Sequence, residues 1–162
     1  MLFWVLLSYR MPREPSTPRI AVWRKLRRLG VAQLCDGLVA LPVDARTQEQ
    51  LEWVAEEIAE AGGVSMLWRA QLVSAAEQRR LVEDLARMRA AEYVTIRGRA
   101  DAAKSLPAVE LVRVVRTLRA ELQRVRRRDY FPPAERDAAK AAVEVLARSA
   151  SVGDAASVGV SS

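Results

Sequence analysis

Val31-Ala-Gln-Leu-Cys-Asp-Gly-Leu-Val-Ala-Leu-Pro42 consists of two short apolar stretches hinged at Asp36-Gly37, a pair suited to a tight turn between antiparallel strands. A hairpin is therefore expected here. Upstream, Met11-Pro-Arg-Glu-Pro-Ser-Thr-Pro18 carries three prolines, which forbid a helix interior, and then offers Ser16 or Thr17 as N-cap with Pro18 at the first helical position. At 100° per residue the helix over 18–29 puts Val22, Leu26 and Leu29 on one face with Trp23 beside them. Arg24, Lys25 and Arg28 gather on the opposite side, and Gly30 ends the helix. Ahead of the proline loop, LFWVLLSY over residues 2–9 reads as a buried strand. Downstream of the hairpin, Thr47 and Gln50 match capping-box spacing, and Leu51, Val54, Ala55 and Ile58 repeat as a helical face until Gly62-Gly63. In the strand that follows, Val64, Met66, Trp68 and Leu72 alternate onto one side, the expected buried face. The order strand, helix, two strands, helix, strand is that of a split βαββαβ unit. The predicted class is α+β, with a ferredoxin-like sheet over residues 1–73.

From Ser74 the pattern becomes purely helical. Ser74 and Glu77 suit a capping box, and Leu81, Leu85 and Met88 continue a stripe toward Tyr93 and Ile96 until Gly98 and Leu106-Pro107 weaken or break it. Leu111, Val115, Leu118, Leu122 and Val125 then recur at alternating four- and three-residue steps, the seam of a helix that packs along a partner. The alanine-rich segment from Ala134 to Arg148 is that partner, so residues 74–148 are expected to be a helical extension ending in an antiparallel hairpin. SASVGDAASVGVSS, residues 149–162, is small and weakly polar and is expected to be a disordered tail.

Composition narrows the chemistry. The 162-residue chain has no histidine and one cysteine, Cys35, which removes the common zinc sites, the Ser-His and Cys-His nucleophile pairs and any intrachain disulfide. No catalytic residue, metal or cofactor is expected, and the chain reads as a non-enzyme. The opening apolar run is far below the roughly 20 residues of a membrane span. It lacks a preceding basic stretch and a small-residue cleavage site, so a cytoplasmic protein is expected.

The formal charge of +6 is unevenly spread. Residues 1–30 hold Arg10, Arg13, Arg19, Arg24, Lys25, Arg27 and Arg28 against Glu14 alone, whereas residues 31–73 hold two arginines against seven carboxylates. An arginine-rich helix opposite an apolar stripe can dock on a phosphate backbone while the core holds its other side, and these seven cations are the candidate DNA contacts. A solvated helix face is the plainer alternative. Arg124, Arg126, Arg127 and Arg128 form a second candidate, an anion site, although cations are favoured at a helix C-terminus in any case. Neither cluster is a base-reading motif. Cys35 is expected to be a buried small residue, and Trp4, Trp23, Trp53 and Trp68 to pack in the core or at an interface rather than serve as stacking platforms. Glu49, Glu52, Glu56, Glu57 and Glu60 share one solvated helix and do not converge as a metal site would.

The stretch from Tyr9 to Gly30, YRMPREPSTPRIAVWRKLRRLG, closely resembles the opening of the chromate-resistance regulator ChrB family. Leu38–Pro42, Glu49-Gln-Leu-Glu-Trp53, Ala91-Glu-Tyr93 and Arg128-Asp-Tyr-Phe131 agree with it, so the resemblance covers residues 2–148. It implies a cytoplasmic, DNA-binding, chromate-responsive transcription factor with a ferredoxin-like amino-terminal fold, similar to a domain of the phenylacetic-acid catabolon repressor. Arg19, Arg24, Lys25, Arg27 and Arg28 are the contacts it implies. The expected partners are double-stranded DNA, chromate and a second copy of the chain, with no membrane. A truncated dimerisation module of such a regulator is the alternative. Typical members continue into a carboxy-terminal domain that this sequence is expected to lack, and the hairpin here is less acidic and shorter. Metal-dependent nucleases of CRISPR spacer acquisition share the fold and carry an aspartate at the end of the first strand. Here that end is Ser8-Tyr9-Arg10, which argues against nuclease chemistry.

Overall fold

A computed structural model describes residues 1–158, with side chains described through Gly153. The chain divides into two compact units, the first Met1–Leu85 and the second from Ala86 onward. The sequence-based boundary at 73/74 instead falls just before the first helix of the all-helical region, α3 (Ala75–Ala102), which contributes residues to both units.

In the first unit, β1 (Trp4–Arg10), α1 (Ser16–Leu29), β2 (Ala32–Cys35), β3 (Leu38–Pro42), α2 (Ala45–Glu60) and β4 (Val64–Ala70) follow in order. The four strands form one antiparallel sheet in the order β2-β3-β1-β4. Both long runs of apolar residues fall in the middle: Val5 and Leu7 of β1 lie opposite Leu41 and Val39 of β3, and all four are buried. From α2, Leu51, Val54 and Ile58 are fully enclosed and face the sheet, while α1 is seated by Val22 and Leu26. Each such side chain contributes roughly 1.5–3 kcal/mol of transfer free energy.

Local chemistry sets the ends of the elements. Gly37 closes the hairpin at φ +73°, where an L side chain is strained, and its carbonyl accepts the Tyr9 N–H at 2.7 Å. A Cβ at Gly63 would lie 2.7 Å from Ile58 Cγ2 and 2.8 Å from the Arg10 carbonyl oxygen, so the exit from α2 can pass this close to β1 only without a side chain. Helix α2 begins three residues earlier than Thr47-Gln50 predicts. Its N-cap is Asp44, whose Oδ1 accepts from the Thr47 N–H at 2.7 Å while Thr47 Oγ1 accepts from the Asp44 N–H at 2.9 Å. The buried Thr47 hydroxyl donates to the Pro42 carbonyl at 2.7 Å and is thereby satisfied. Helix α1 starts at Ser16 with Pro15 as N-cap and no side-chain cap, so neither Ser16 nor Thr17 performs the capping role. The proline loop supplies a preset φ instead.

Strand β4 reverses the face expected from its alternation. Val64, Met66 and Trp68 are about half-exposed, and the register sets them beside Arg10, Ser8 and Leu6; Trp68 Nε1 donates to Ser8 Oγ at 3.0 Å. Ser65 and Leu67, on the other side, are the partly buried residues. Alternation shows that two faces differ but not which of them a helix covers.

The second unit is helical. The remainder of α3, a 3₁₀ turn (Ala103–Ser105), α4 (Ala108–Arg126) and α5 (Glu135–Val158) enclose a core of Tyr93, Ile96, Leu111, Val115, Leu118, Leu122, Val125, Val143 and Leu146. The predicted seam of α4 is buried along its whole length against α5. The pair is antiparallel, as Arg119 meets Glu144 at 3.3 Å and a Cβ at Gly153 would lie 2.8 Å from that of Ala108. That approach carries α5 past Arg148, where the sequence predicts a disordered tail, and the helix continues to Val158; residues 159–162 lie outside the described residues. The physical reason is Ala150, fully packed in the core, which makes this small-residue segment a close-packing helix.

Gly98 does not interrupt α3, and nothing lies within 4 Å of where its Cβ would sit. Gly98→Ala is therefore expected to stabilise the second unit by about 0.5–1 kcal/mol, read as a higher urea midpoint in far-ultraviolet circular dichroism. A lower midpoint would mean that α3 is not a regular helix at this position.

Candidate nucleic-acid interface

Anchored by Val22 and Leu26, α1 turns its other side to solvent. Arg19, Arg24, Arg27 and Arg28 are exposed on it, with Arg10 at the end of β1 and Arg13 in the proline loop also exposed. None of these six arginines ion-pairs with a carboxylate among the described residues. The seventh candidate differs: Lys25 is half-buried and its ammonium is paired with Glu57 of α2. The acidic helix thus neutralises one cation of the cluster and leaves the guanidinium groups to solvent. Arg27 stacks on the Trp23 ring, its Cζ 4.9 Å from the centroid, which holds that side chain at the surface. Trp23 is 44% exposed rather than packed in the core, and Trp53 and Trp68 are similarly open. Only Trp4 of the four is a core residue.

Between α1 and the β2–β3 turn the sheet leaves a cleft of about 710 Å³ lined by Tyr9, Arg10, Arg19, Ile20, Trp23, Arg24, Gln33 and Asp36, together with Met11 and Gly37. Burial, then the negative charge of Asp36, pushes the Tyr9 phenol above its ordinary value, so the hydroxyl stays protonated and can donate. The aromatic and apolar lining was not legible in the helix pattern. It depends on strand β2 and the turn after it bringing Gln33 and Asp36 to the same cleft as Trp23. Cys35, expected to be buried, is exposed, because β2 is an edge strand in which Ala32 alone is covered.

The second arginine cluster has a different environment. Arg128 is paired with Glu92, and Arg89, whose side chain is 9% exposed, lies 3.3 Å from the same carboxylate through Nε. Burial pulls Arg89 below the ordinary arginine value, opposed by the Glu92 charge. Tyr93 donates to Asp129 Oδ2 at 2.8 Å. Two segments distant in sequence, Ala91-Glu-Tyr93 and Arg128-Asp-Tyr-Phe131, therefore meet in one network, and Arg128 is withdrawn into it. Arg124, Arg126 and Arg127 stay exposed around the end of α4. Arg89 was not singled out by its sequence context, since it falls within a charged helical run; its pairing with Glu92 one turn later was the available signal.

Tyr93→Phe is expected to cost the second unit about 1–2 kcal/mol, since Asp129 loses its donor in a buried setting. Burial, the hydrogen bond and the charge of Asp129 raise the Tyr93 phenol above its ordinary 10.0, so the unfolded chain releases this proton first. The contribution is complete below pH 10 and drains as pH climbs beyond it. Chemical denaturation at pH 8 and above pH 10 checks this, and an equal loss at both pH values would contradict it.

Among the described residues no three Cys, Asp or Glu side chains gather as metal ligands, and no helix is long and apolar enough to cross a membrane. The architecture is thus an α+β unit whose first helix displays exposed arginines, followed along the chain by a helical unit. A family described as Protein ChrB, N-terminal, matches residues 19–106, more than half of the sequence, and the chain belongs to that family. The match runs from the first turn of α1 to the residue after the 3₁₀ turn, so it includes Arg19, Arg24, Lys25, Arg27 and Arg28 but not Arg10 or Arg13. Protein ChrB of Cupriavidus metallidurans (strain CH34) is 28% identical over 133 residues, which are 80% of this chain and 40% of that protein. The chain thus spans 40% of the length of the curated relative it matches.

Proposed function

We propose that the chain is a DNA-binding transcriptional regulator of chromate resistance, acting in the cytoplasm as a homodimer and gripping double-stranded DNA through α1. The observation that carries this reading is the set of exposed, unpaired arginines on and beside α1, backed by buried Val22 and Leu26. Guanidinium groups held this way can neutralise phosphates without a change in the fold, and their spacing along one helix suits a backbone rather than a single ion. In this reading the chain has no catalytic activity, and Arg24 and Arg28 fix its position on the duplex. A dimer brings two such helices to one pseudo-palindromic site. Chromate, a tetrahedral dianion, competes with phosphate for charge-assisted hydrogen bonds from the same arginines.

The test is a gel shift of the isolated chain on duplex DNA over a series of salt concentrations. Binding that weakens steeply with salt supports the reading; no binding at low salt overturns it. One observation favours a second reading, an interaction module of a larger regulator: Val64, Met66 and Trp68 lie exposed on β4, an outer strand of the sheet. The same gel shift separates the two.

A further inference from the structure

The cleft beside α1 is larger and more apolar than phosphate or chromate binding requires. A tetrahedral oxyanion meets the guanidinium groups and leaves most of the 710 Å³ to water, whereas Ile20, Trp23, Met11 and the Tyr9 ring offer a surface that gains only when something apolar covers it. Three arginines outnumber the one lining carboxylate, Asp36, so the site is net cationic. Trp23 is 44% exposed and Ile20 41%, both on a helix whose neighbouring apolar residue, Val22, is buried. Aromatic rings stack on an indole, and flat anions match the guanidinium fork.

We propose that this cleft binds a small organic anion with a flat aromatic body, its ring against Trp23 and Ile20 and its carboxylate or phosphate on Arg10, Arg19 and Arg24. Because three of the arginines that face DNA also line the cleft, an occupied cleft withdraws them from the duplex. The ligand is then an effector that releases DNA. This last step rests on the DNA-binding reading above; the ligand site does not.

Calorimetric titration of the full chain without DNA, using 2-naphthoate, AMP and sulfate, tests the site. At least one ring-bearing probe is expected to bind about tenfold or more tightly than sulfate. A preference for 2-naphthoate indicates an aromatic acid, and a preference for AMP a nucleotide. Trp23→Ala is expected to weaken the better probe about tenfold. Ile20→Glu, which sets a carboxylate in the cleft at a position away from the core, is expected to do the same and serves where Trp23→Ala disturbs folding, as judged by circular dichroism. Ring-bearing probes that bind no better than sulfate, or that bind a folded Ile20→Glu chain unchanged, overturn the site. A chain that binds the probe but no duplex keeps the site and overturns the DNA reading. A probe that binds while leaving the duplex in place overturns the coupling between them.

Discussion

Replacing Arg19, Arg24 and Arg28 together by alanine is expected to lower affinity for duplex DNA by about a thousandfold at low salt, leaving the fold intact. The magnitude follows from roughly 1.5 kcal/mol for each charge-assisted hydrogen bond to a phosphate that the variant cannot make, about tenfold apiece. All three side chains are exposed and none pairs with a carboxylate, so nothing inside the protein depends on them. The dependence of log K on log salt should become shallower by about 0.9 for each phosphate no longer neutralised. Lys25→Ala provides the contrast: its ammonium is engaged by Glu57, and its removal is expected to weaken binding less than the loss of any one of the three arginines. Fluorescence anisotropy on a labelled duplex measures both quantities. An unchanged affinity in the triple variant would remove α1 from the interface.

Gly37→Ala is expected to destabilise the first unit by about 3 kcal/mol or more. The residue sits at φ +73°, and a Cβ there would lie 2.4 Å from the Tyr9 carbonyl oxygen, a backbone atom of the adjacent central strand that cannot swing aside. Relieving that overlap means moving the hairpin and stretching the 2.7 Å bond from the Tyr9 N–H to the Gly37 carbonyl. Measurement is helped by a property of the chain: Trp4, Trp23, Trp53 and Trp68 all precede residue 86, so tryptophan fluorescence follows the first unit alone. Urea titration by fluorescence should show the loss. If the midpoint stays in place, the turn must be able to relax in a way that the Tyr9 carbonyl denies.

Much of the fold can be read from patterns that are local. Asp36-Gly37 marks the hairpin because a tight turn needs a residue free to take positive φ, and the α4 seam from Leu111 to Val125 marks a packed helix because its spacing keeps one face toward a partner. Trp23, Trp53 and Trp68 lie outside the core, and Cys35 is exposed against expectation, for a shared reason. Side-chain chemistry favours burial, but whether a given site is covered depends on which strand ends up at the edge and where the helices lie. The alanine- and serine-rich segment after Arg148 has a composition that resembles a tail, yet the closeness of Gly153 to Ala108 and the burial of Ala150 show that small residues there let two helices approach.

The seven cations near the amino end were legible as a cluster because charge is a property of the residue itself. Their separation into six exposed guanidinium groups and one ammonium tied to Glu57 required α1 and α2 to be placed side by side. Sequence alone therefore determined the element order, the cationic character of α1 and its apolar underside, all of which follow from spacing along a single helix or strand. Tertiary structure decided the exposed face of β4, the cleft between Trp23 and the β2–β3 turn and the joining of Glu92 to Arg128, because each depends on residues far apart in the chain being brought together.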